Sequence, residues 1–319
     1  VLEDEPYPVR GLMILGGSPV LSFPDSKSWR EAYKKLDCLI VLDRYFTEDA
    51  RYADVVFPAC SLFEVPKAVP GPEGPHIVEP LIEPVGESKN DVLIMGAIAK
   101  KLGFGDKLPQ SEEELRSWLL SGTAPYAGDF GTSADQKKEK HYKKYETGEL
   151  RADGKPGFPT PSGKLEICST ILEENGFVPY PEYKDVRSIP ELAGKEYPFT
   201  MTSGARSNNR MGVFGANLDK IAEIEPYPFV DINEEDAKEI GIKDGDMVKV
   251  ITPFADGTFK AKIRGIARHA IHIPHGGGSA YMAEPWKTGN VNDLCSLDYA
   301  DPMTGFVLIK SVPCRVEKV

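Results

Sequence analysis

No Cys-x-x-Cys pair occurs anywhere in the 319 residues. The five cysteines, Cys38, Cys60, Cys168, Cys295 and Cys314, stand singly, which excludes a zinc ribbon and an iron–sulfur box within this chain. An odd, unpatterned set fits a reducing compartment. No run approaches the roughly 20 consecutive apolar residues that span a bilayer, and the acidic, proline-bearing start VLEDEPYPVR reads as neither signal nor transit peptide. Cationic excess is missing too. Thirty-eight basic against 49 acidic residues leave a net charge of −11, which speaks against nucleic acid as the main partner. A local pocket can still be positive on an acidic protein, so one phosphorylated ligand is compatible with that charge. There is no Gly-x-Gly-x-x-Gly loop and no repeat with a period of 20–50 residues.

What remains is a chain with 41% apolar residues, enough for real cores and long enough for two domains. Its first third alternates strands and helices. GLMIL (11–15) reads as a buried strand closed by the turn Gly16-Gly17-Ser18-Pro19. SKSWREAYKKL (26–36) reads as a helix with Ser26 as its cap. CLIVLD (38–43) is a second strand, Thr47 caps a helical turn, and DVVFP (54–58) is a third strand. The segment 88–103 is an amphipathic helix that stops at Gly103. Apolar strands separated by helices predict a parallel sheet covered on both faces. The stretch 104–195 changes character: a helix over 111–122 with a capping box from Ser111 to Glu114, a strand-like piece at 163–169, and otherwise linker. From 196 onward short strands separated by turn signals such as Asp256-Gly257 predict a barrel or sandwich, with one helix (233–241) capped by Asn233 and stopped by Gly241.

Three polar stretches could carry chemistry. In a doubly wound sheet, ligands sit beyond the carboxyl ends of the strands, where Gly16, Gly17, Ser18 and Asp43 fall. A turn of small residues brings backbone N–H groups close to a ligand. A strand-ending acid can accept from a ribose hydroxyl or a guanine edge, and Thr47 adds a hydroxyl one turn later. The alternative is a strand-ending Asp and a plain N-cap Thr. In TSGARSNNRMG (202–212), Arg206 and Arg210 with Ser207 between them and Gly204 beside them suit phosphate oxygens, since each guanidinium offers a fixed fork of donors; the alternative is a solvated loop. In the stretch 273–294, His275 precedes three glycines, and the amides of Asn290 and Asn292 could read a fused heterocycle; His275 could equally be structural.

Taken in order, LGGSP, LDRYFTEDARYADVVFPA followed by Glu64, PVGESKND, TPSGKLEI, TSGAR, PFVDINEEDAKEIGIKDGDMVKV, IPHGGG, NVNDL and DPMTG resemble the molybdopterin oxidoreductases of the dimethyl sulfoxide reductase family. The resemblance implies an α/β part, residues 1–103 with an excursion at 61–88, forming the later half of a Rossmann-like cofactor domain. It implies a linker region at 104–195 and a double-psi β-barrel at 196–319. It implies a bis-molybdopterin guanine dinucleotide cofactor carrying molybdenum or tungsten. Asp43, Thr47 and Asp91 match positions that bind one dinucleotide. Arg206 and Arg210 fall where relatives bind pterin and phosphate, commonly with an Arg and then a His, so Arg210 is a departure. His275, Gly276, Asn290 and Asn292 match the final pterin-contacting loop, where Gly277 and Gly278 replace common aromatics. The iron–sulfur motif and the metal-ligating residue of the family's first half cannot be placed. The chain therefore reads as a C-terminal fragment or a split subunit, inactive alone, of an enzyme of two-electron redox chemistry, the alternatives being a non-redox hydratase or transhydroxylase of the same family and a cofactor-free binding or assembly module. The resemblance also implies a missing N-terminal half as partner, an electron-transfer iron–sulfur subunit, a membrane anchor, a small-molecule substrate, and work on the cytoplasmic or periplasmic side of a membrane.

Overall fold

The structure, a computed structural model, describes residues 1–71, 74–121, 143–204, 218–282, 284 and 286–319. The backbone gathers into two compact units. The first comprises Val1–Val65, Pro80–Glu112 and Val186–Val319; the second comprises Pro66–Glu79 and Glu113–Asp185. Both the α/β part and the barrel thus belong to the first unit, and the division does not follow the expected boundaries at 103 and 195.

In the first unit, strands β1 (Gly11–Leu15), β2 (Cys38–Asp43) and β3 (Val55–Pro58) form a parallel sheet in the order β1-β2-β3. Helix α1 (Pro19–Ser22) follows the first turn, and α2 (Ser26–Lys35) returns the chain to β2. The cap of α2 is Asp25, whose carboxylate accepts from the Ser28 N–H at 3.1 Å. Ser26, expected in that role, is instead the first helical residue and fully buried. Pairing places Leu12, Ile14, Leu39, Val41 and Val56 on one sheet face, where they pack with Val20, Leu21, Tyr33, Met282 and Trp286. The other face carries the fully buried Leu42 between Leu15 and Val55, which are exposed. The expectation of a sheet covered on both sides is met at the centre of this face and not at its margins, because apolar strands reveal what a face can bury and not how far its cover extends. Helix α3 (Asp91–Lys101) is capped by the Asn90 side chain and ends before Gly103, at φ +87°.

Strands β4 (Lys67–Val69) and β5 (His76–Val78) pair antiparallel in the second unit, which also holds most of α4 (Glu112–Leu120) and the short helices α5 (Lys144–Thr147) and α6 (Thr170–Glu174). Residues 163–169 form no strand, and Leu165 and Ile167 stand exposed. An apolar alternation with no strand beside it to satisfy its backbone stays irregular.

The barrel contains β6 (Phe199–Ser203), β7 (Phe229–Asn233), β8 (Met247–Ile251), β9 (Asp256–Arg264), β10 (Ala270–Ile273) and β11 (Lys310–Lys318). It closes in the order β10-β6-β11-β8-β9-β7, with β10/β6 and β7/β9 parallel and the remaining pairs antiparallel. Met201, Val230, Ile232, Val248, Val250, Phe259 and Ile271 fill its interior. The β8–β9 turn lies at 252–255, where Thr252 Oγ1 accepts from the N–H groups of Phe254 and Ala255, so Asp256-Gly257 opens the strand rather than making the turn. Residues 306–310 form no separate strand: Val307 bridges Ala300, and β11 begins at Lys310 with a bulge around Ser311, φ +63°. Between β6 and β7 lies α7 (Asp219–Ile224), and α8 (Glu234–Glu239) follows β7, capped by Asn233 as expected.

Candidate functional site

Because β1, β2 and β3 run parallel, their carboxyl ends share one edge. Gly16 donates its N–H to the Leu42 carbonyl at 2.8 Å, which locks the first turn against β2. Its φ is +58°, and a Cβ built there meets nothing within 4 Å among the described residues, so they leave this backbone bare. Asp43 ends β2 half-buried and accepts from the Tyr45 N–H at 3.0 Å. Thr47 is buried and accepts from the Ala50 N–H at 3.3 Å, the expected capping bond, ahead of the single 3-10 turn Asp49–Arg51. Beyond β3, Ala59 pairs with Lys89 in parallel sense, and the Cys60 N–H donates to the Lys89 carbonyl at 3.0 Å. That pairing delivers Asp91, the first residue of α3, to the same edge.

Asp91 responds to Asp43 there. Burial pushes the Asp43 carboxyl up, partly offset by the N–H groups of Tyr45 and Arg44 and by the Arg44 charge. Asp91 is raised by loss of solvent, opposed by Arg44 and reinforced by the negative charge of Asp43. Two acids and one guanidinium at one sheet edge suit a ligand with several N–H or O–H donors.

Sequence reasoning missed Asp49. It is fully buried; one carboxylate oxygen accepts from the Ser18 hydroxyl, and the other accepts from the Val20 N–H at 3.1 Å and the Tyr33 hydroxyl at 2.7 Å. Ser18, itself buried, therefore spends its hydroxyl inside the protein. No local signal marks it out, since Glu48 and Asp49 stand side by side in the same turn with Arg44 before them and Arg51 after.

The barrel presents its own cluster. Ile273 pairs with Ser203 in the parallel β10/β6 ladder, so the chain leaves both strands at the same end. A Cβ on Gly204 (φ +112°) would lie 3.9 Å from His275 Nε2 and 3.8 Å from Lys310 Cε. Lys310 was also missed; its position at the start of β11 gives no sign of proximity to Gly204 until the barrel closes. Arg206, Ser207 and Arg210 lie outside the described residues. Gly276, Gly277 and Gly278 have φ of +139°, +83° and +94°. A Cβ on Gly277 would be 2.7 Å from the Thr288 carbonyl oxygen, and one on Gly278 would be 2.7 Å from the Asn290 Cβ. No larger residue fits this path, which accounts for the triple glycine.

Asn290 and Asn292 join the barrel to the sheet. Asn290 donates to Ser26 Oγ at 3.1 Å, and its Oδ1 accepts from the Asn292 N–H at 3.1 Å. Asn292 donates to the Leu21 carbonyl at 2.7 Å, while its buried Oδ1 has no hydrogen-bond partner among the described residues. The loop between these asparagines and His275 touches the sheet edge: the Ala280 N–H donates to Glu48 at 3.2 Å, and the Tyr281 ring packs edge-on against Phe46 at 4.9 Å. Among the described residues no group of three or more His, Cys, Asp or Glu is arranged to hold a metal ion, and no helix is long and apolar enough to cross a membrane.

Two family models match the chain: molybdopterin oxidoreductase over residues 5–101 and molydopterin dinucleotide binding domain over residues 200–313. The chain is 30% identical over 285 residues to the F420-dependent formate dehydrogenase subunit alpha of Methanocaldococcus jannaschii, covering 86% of this chain and 39% of that protein. It is 25% identical over 282 residues to the acetylene hydratase of Syntrophotalea acetylenica, covering 86% of this chain and 38% of that protein. The solved acetylene hydratase from Pelobacter acetylenicus superposes with a TM-score of 0.78 at 23% identity, over 99% of this chain and 45% of that one. The chain therefore spans about two fifths of the length of these relatives.

Proposed function

Since the chain belongs to the molybdopterin oxidoreductase family, we propose that it is the part of such an enzyme that closes around the guanine dinucleotide ends of the cofactor. In this reading the parallel sheet is the later half of a Rossmann-like domain and the barrel is of the double-psi type. The enzyme holds molybdenum or tungsten between two molybdopterin guanine dinucleotides and performs two-electron redox chemistry on a small substrate. Bound there, the cofactor supplies the electron and oxygen-atom or hydride-equivalent transfer, and the protein supplies binding, orientation and electrostatics.

The observation that carries this reading is the chemistry of the two clusters. At the sheet edge, the bare Gly16–Gly17 backbone suits a phosphate oxygen, and Asp43 with Asp91 suits the donor edge of guanine and ribose hydroxyls. At the barrel end, Gly204, His275, Gly276 and Lys310 offer a cation, an imidazole and glycine backbone, which suits pterin and phosphate. The unpartnered Asn292 Oδ1 is a buried acceptor of the kind that a bound donor would satisfy. Arg206, Ser207 and Arg210 are assigned to the same end on their sequence pattern. Partners in this reading are the N-terminal half with the metal ligand and an iron–sulfur cluster, an electron-transfer subunit with a membrane anchor, and the substrate. A second reading keeps the cofactor and makes the reaction non-redox; the similarity to acetylene hydratase favours it.

The test is elemental and nucleotide analysis of the native protein. Molybdenum or tungsten together with guanine nucleotide released by acid supports the reading; dialysed protein with neither overturns it. Turnover with an artificial electron donor or acceptor then separates redox from non-redox chemistry. Arg206→Ala should speed cofactor loss by about ten- to a hundredfold, with Arg206→Lys rescuing only in part because an ammonium lacks the fork.

A further inference from the structure

The tripeptide Thr47-Glu48-Asp49 sends each side chain to a different segment. Thr47 closes its own turn onto the Ala50 N–H. Glu48, only 3% exposed, accepts from the Ala280 N–H at 3.2 Å and pairs with Arg51 at 2.6 Å. Asp49 accepts from the Ser18 hydroxyl and the Val20 N–H, on either side of Pro19. Those targets are the turn after β1, the turn after β2 and the loop after β10. Each is a segment to which the proposed function gives ligand contacts.

We propose that Glu48 and Asp49 are positioning residues: they touch no ligand and hold the three ligand-binding segments in one fixed register. This inference rests on the dinucleotide reading. The physical case is pre-organisation. A turn of Gly-Gly-Ser is the most mobile backbone in the sheet edge, because glycine has the largest set of conformers to lose. Its only side chain able to fix it is Ser18, and that hydroxyl is committed to Asp49. A turn held in the shape that binds a phosphate loses less entropy when the phosphate arrives. Glu48 does the same toward the barrel, since its bond to Ala280 fixes the loop that begins at His275.

The experiment measures guanine nucleotide retained by the native, cofactor-loaded protein during dialysis, released with acid and quantified, alongside apo-protein thermal stability. Tyr33→Phe is the control, because it removes one hydrogen bond to the same Asp49 oxygen without touching any turn. Asp49→Asn and Glu48→Gln should each speed nucleotide loss by about tenfold, whereas Tyr33→Phe should leave it within about twofold. Ser18→Ala, the mildest variant, should also speed loss. The double variant Ser18→Ala/Asp49→Asn should be no worse than Asp49→Asn alone, since the serine acts through the aspartate. Additive losses would make Ser18 a direct ligand and overturn the inference. Variants that lower apo stability like Tyr33→Phe while keeping wild-type retention would also overturn it, leaving the dinucleotide reading standing. Wild-type protein that releases no guanine nucleotide would overturn both.

Discussion

Gly16 and Gly277 have similar left-handed backbones and opposite surroundings. Gly16 (φ +58°) has nothing within 4 Å of a would-be Cβ, whereas Gly277 (φ +83°) has the Thr288 carbonyl oxygen at 2.7 Å. Gly16→Ala should therefore cost only the conformational strain of an L-residue in that region, about 1–2 kcal/mol. Its main effect should be on nucleotide retention, because the new methyl stands where a ligand approaches. Gly277→Ala adds a collision to the strain and should be the more destabilising of the two in apo protein. Paired denaturant midpoints and retention assays check this, and a Gly16→Ala protein with full retention would remove that turn from the site. The thiols give a second residue-scale prediction. Burial pushes Cys295 and Cys314 up to about 12, while Cys168 is exposed. Cys168 should react with a thiol reagent within the mixing time at pH 8 and the two buried cysteines only after unfolding, since the thiolate is the nucleophile. Rapid labelling of Cys314 in folded protein would contradict its placement in the barrel wall.

At the scale of elements, two acids act as clasps. Asp236, fully buried at the start of α8, accepts from Arg268 Nε and, at 2.7 Å, from the His269 N–H, tying that helix to the approach to β10. Arg268 also meets Glu235 and Glu239, which are exposed. Asp236→Ala should cost about 1–3 kcal/mol, because it removes the acceptor of the His269 N–H and of Arg268 from a buried position, while Glu235→Ala and Glu239→Ala should each cost under about 1 kcal/mol. Equal losses on chemical denaturation would refute the distinction. Glu64 is the other clasp, accepting from the N–H groups of Ser61 and Val85 and from the Ser88 hydroxyl. The hydrogen bonds from Ser61, then from Val85, hold it down at about 2 against an ordinary 4.5. A folded-state value below the unfolded one means that its contribution is complete above about pH 4.5 and disappears as pH falls toward 2. Glu64→Gln should flatten the acid-unfolding curve across that window.

The same elements explain what the sequence could reveal. The α/β alternation, the three parallel strands, the Gly103 stop, the Asn233 cap and most barrel strands were legible, because apolar periodicity and local capping chemistry act over a few residues. Asp25 displaced Ser26 as a cap because Ser26 is needed by Asn290, 264 residues away. Asp49 and Lys310 were illegible for the same reason: their partners are set by tertiary closure. The strand expected at 163–169 failed because pattern alone supplies no neighbouring strand.

For the first unit as a whole, the decisive feature is the joint between sheet and barrel. Asn290 bonds Ser26, Asn292 bonds the Leu21 carbonyl, and the Asp25 N–H donates to the Asn292 carbonyl at 2.9 Å. On the barrel side, Trp286 donates its indole N–H to the Glu225 carbonyl at 2.7 Å while its ring packs in the sheet core. The joint is polar and buried at once, so a partial opening that admits no water leaves its groups unpaired, and only complete separation lets water replace the lost bonds. Sheet and barrel should then unfold in one transition, followed equally by tryptophan fluorescence and far-ultraviolet circular dichroism. Asn292→Ala leaves the Leu21 carbonyl without its donor and should cost about 1–3 kcal/mol in apo protein. It should also separate the two signals, with fluorescence changing first, because Trp29 and Trp286 report on the sheet core and its joint. If Asn292 acts only through a bound pterin, the apo variant will unfold as wild type does and the loss will appear solely in nucleotide retention. Coincident, unshifted transitions in the apo variant would therefore remove Asn292 from the joint and leave it to the cofactor alone.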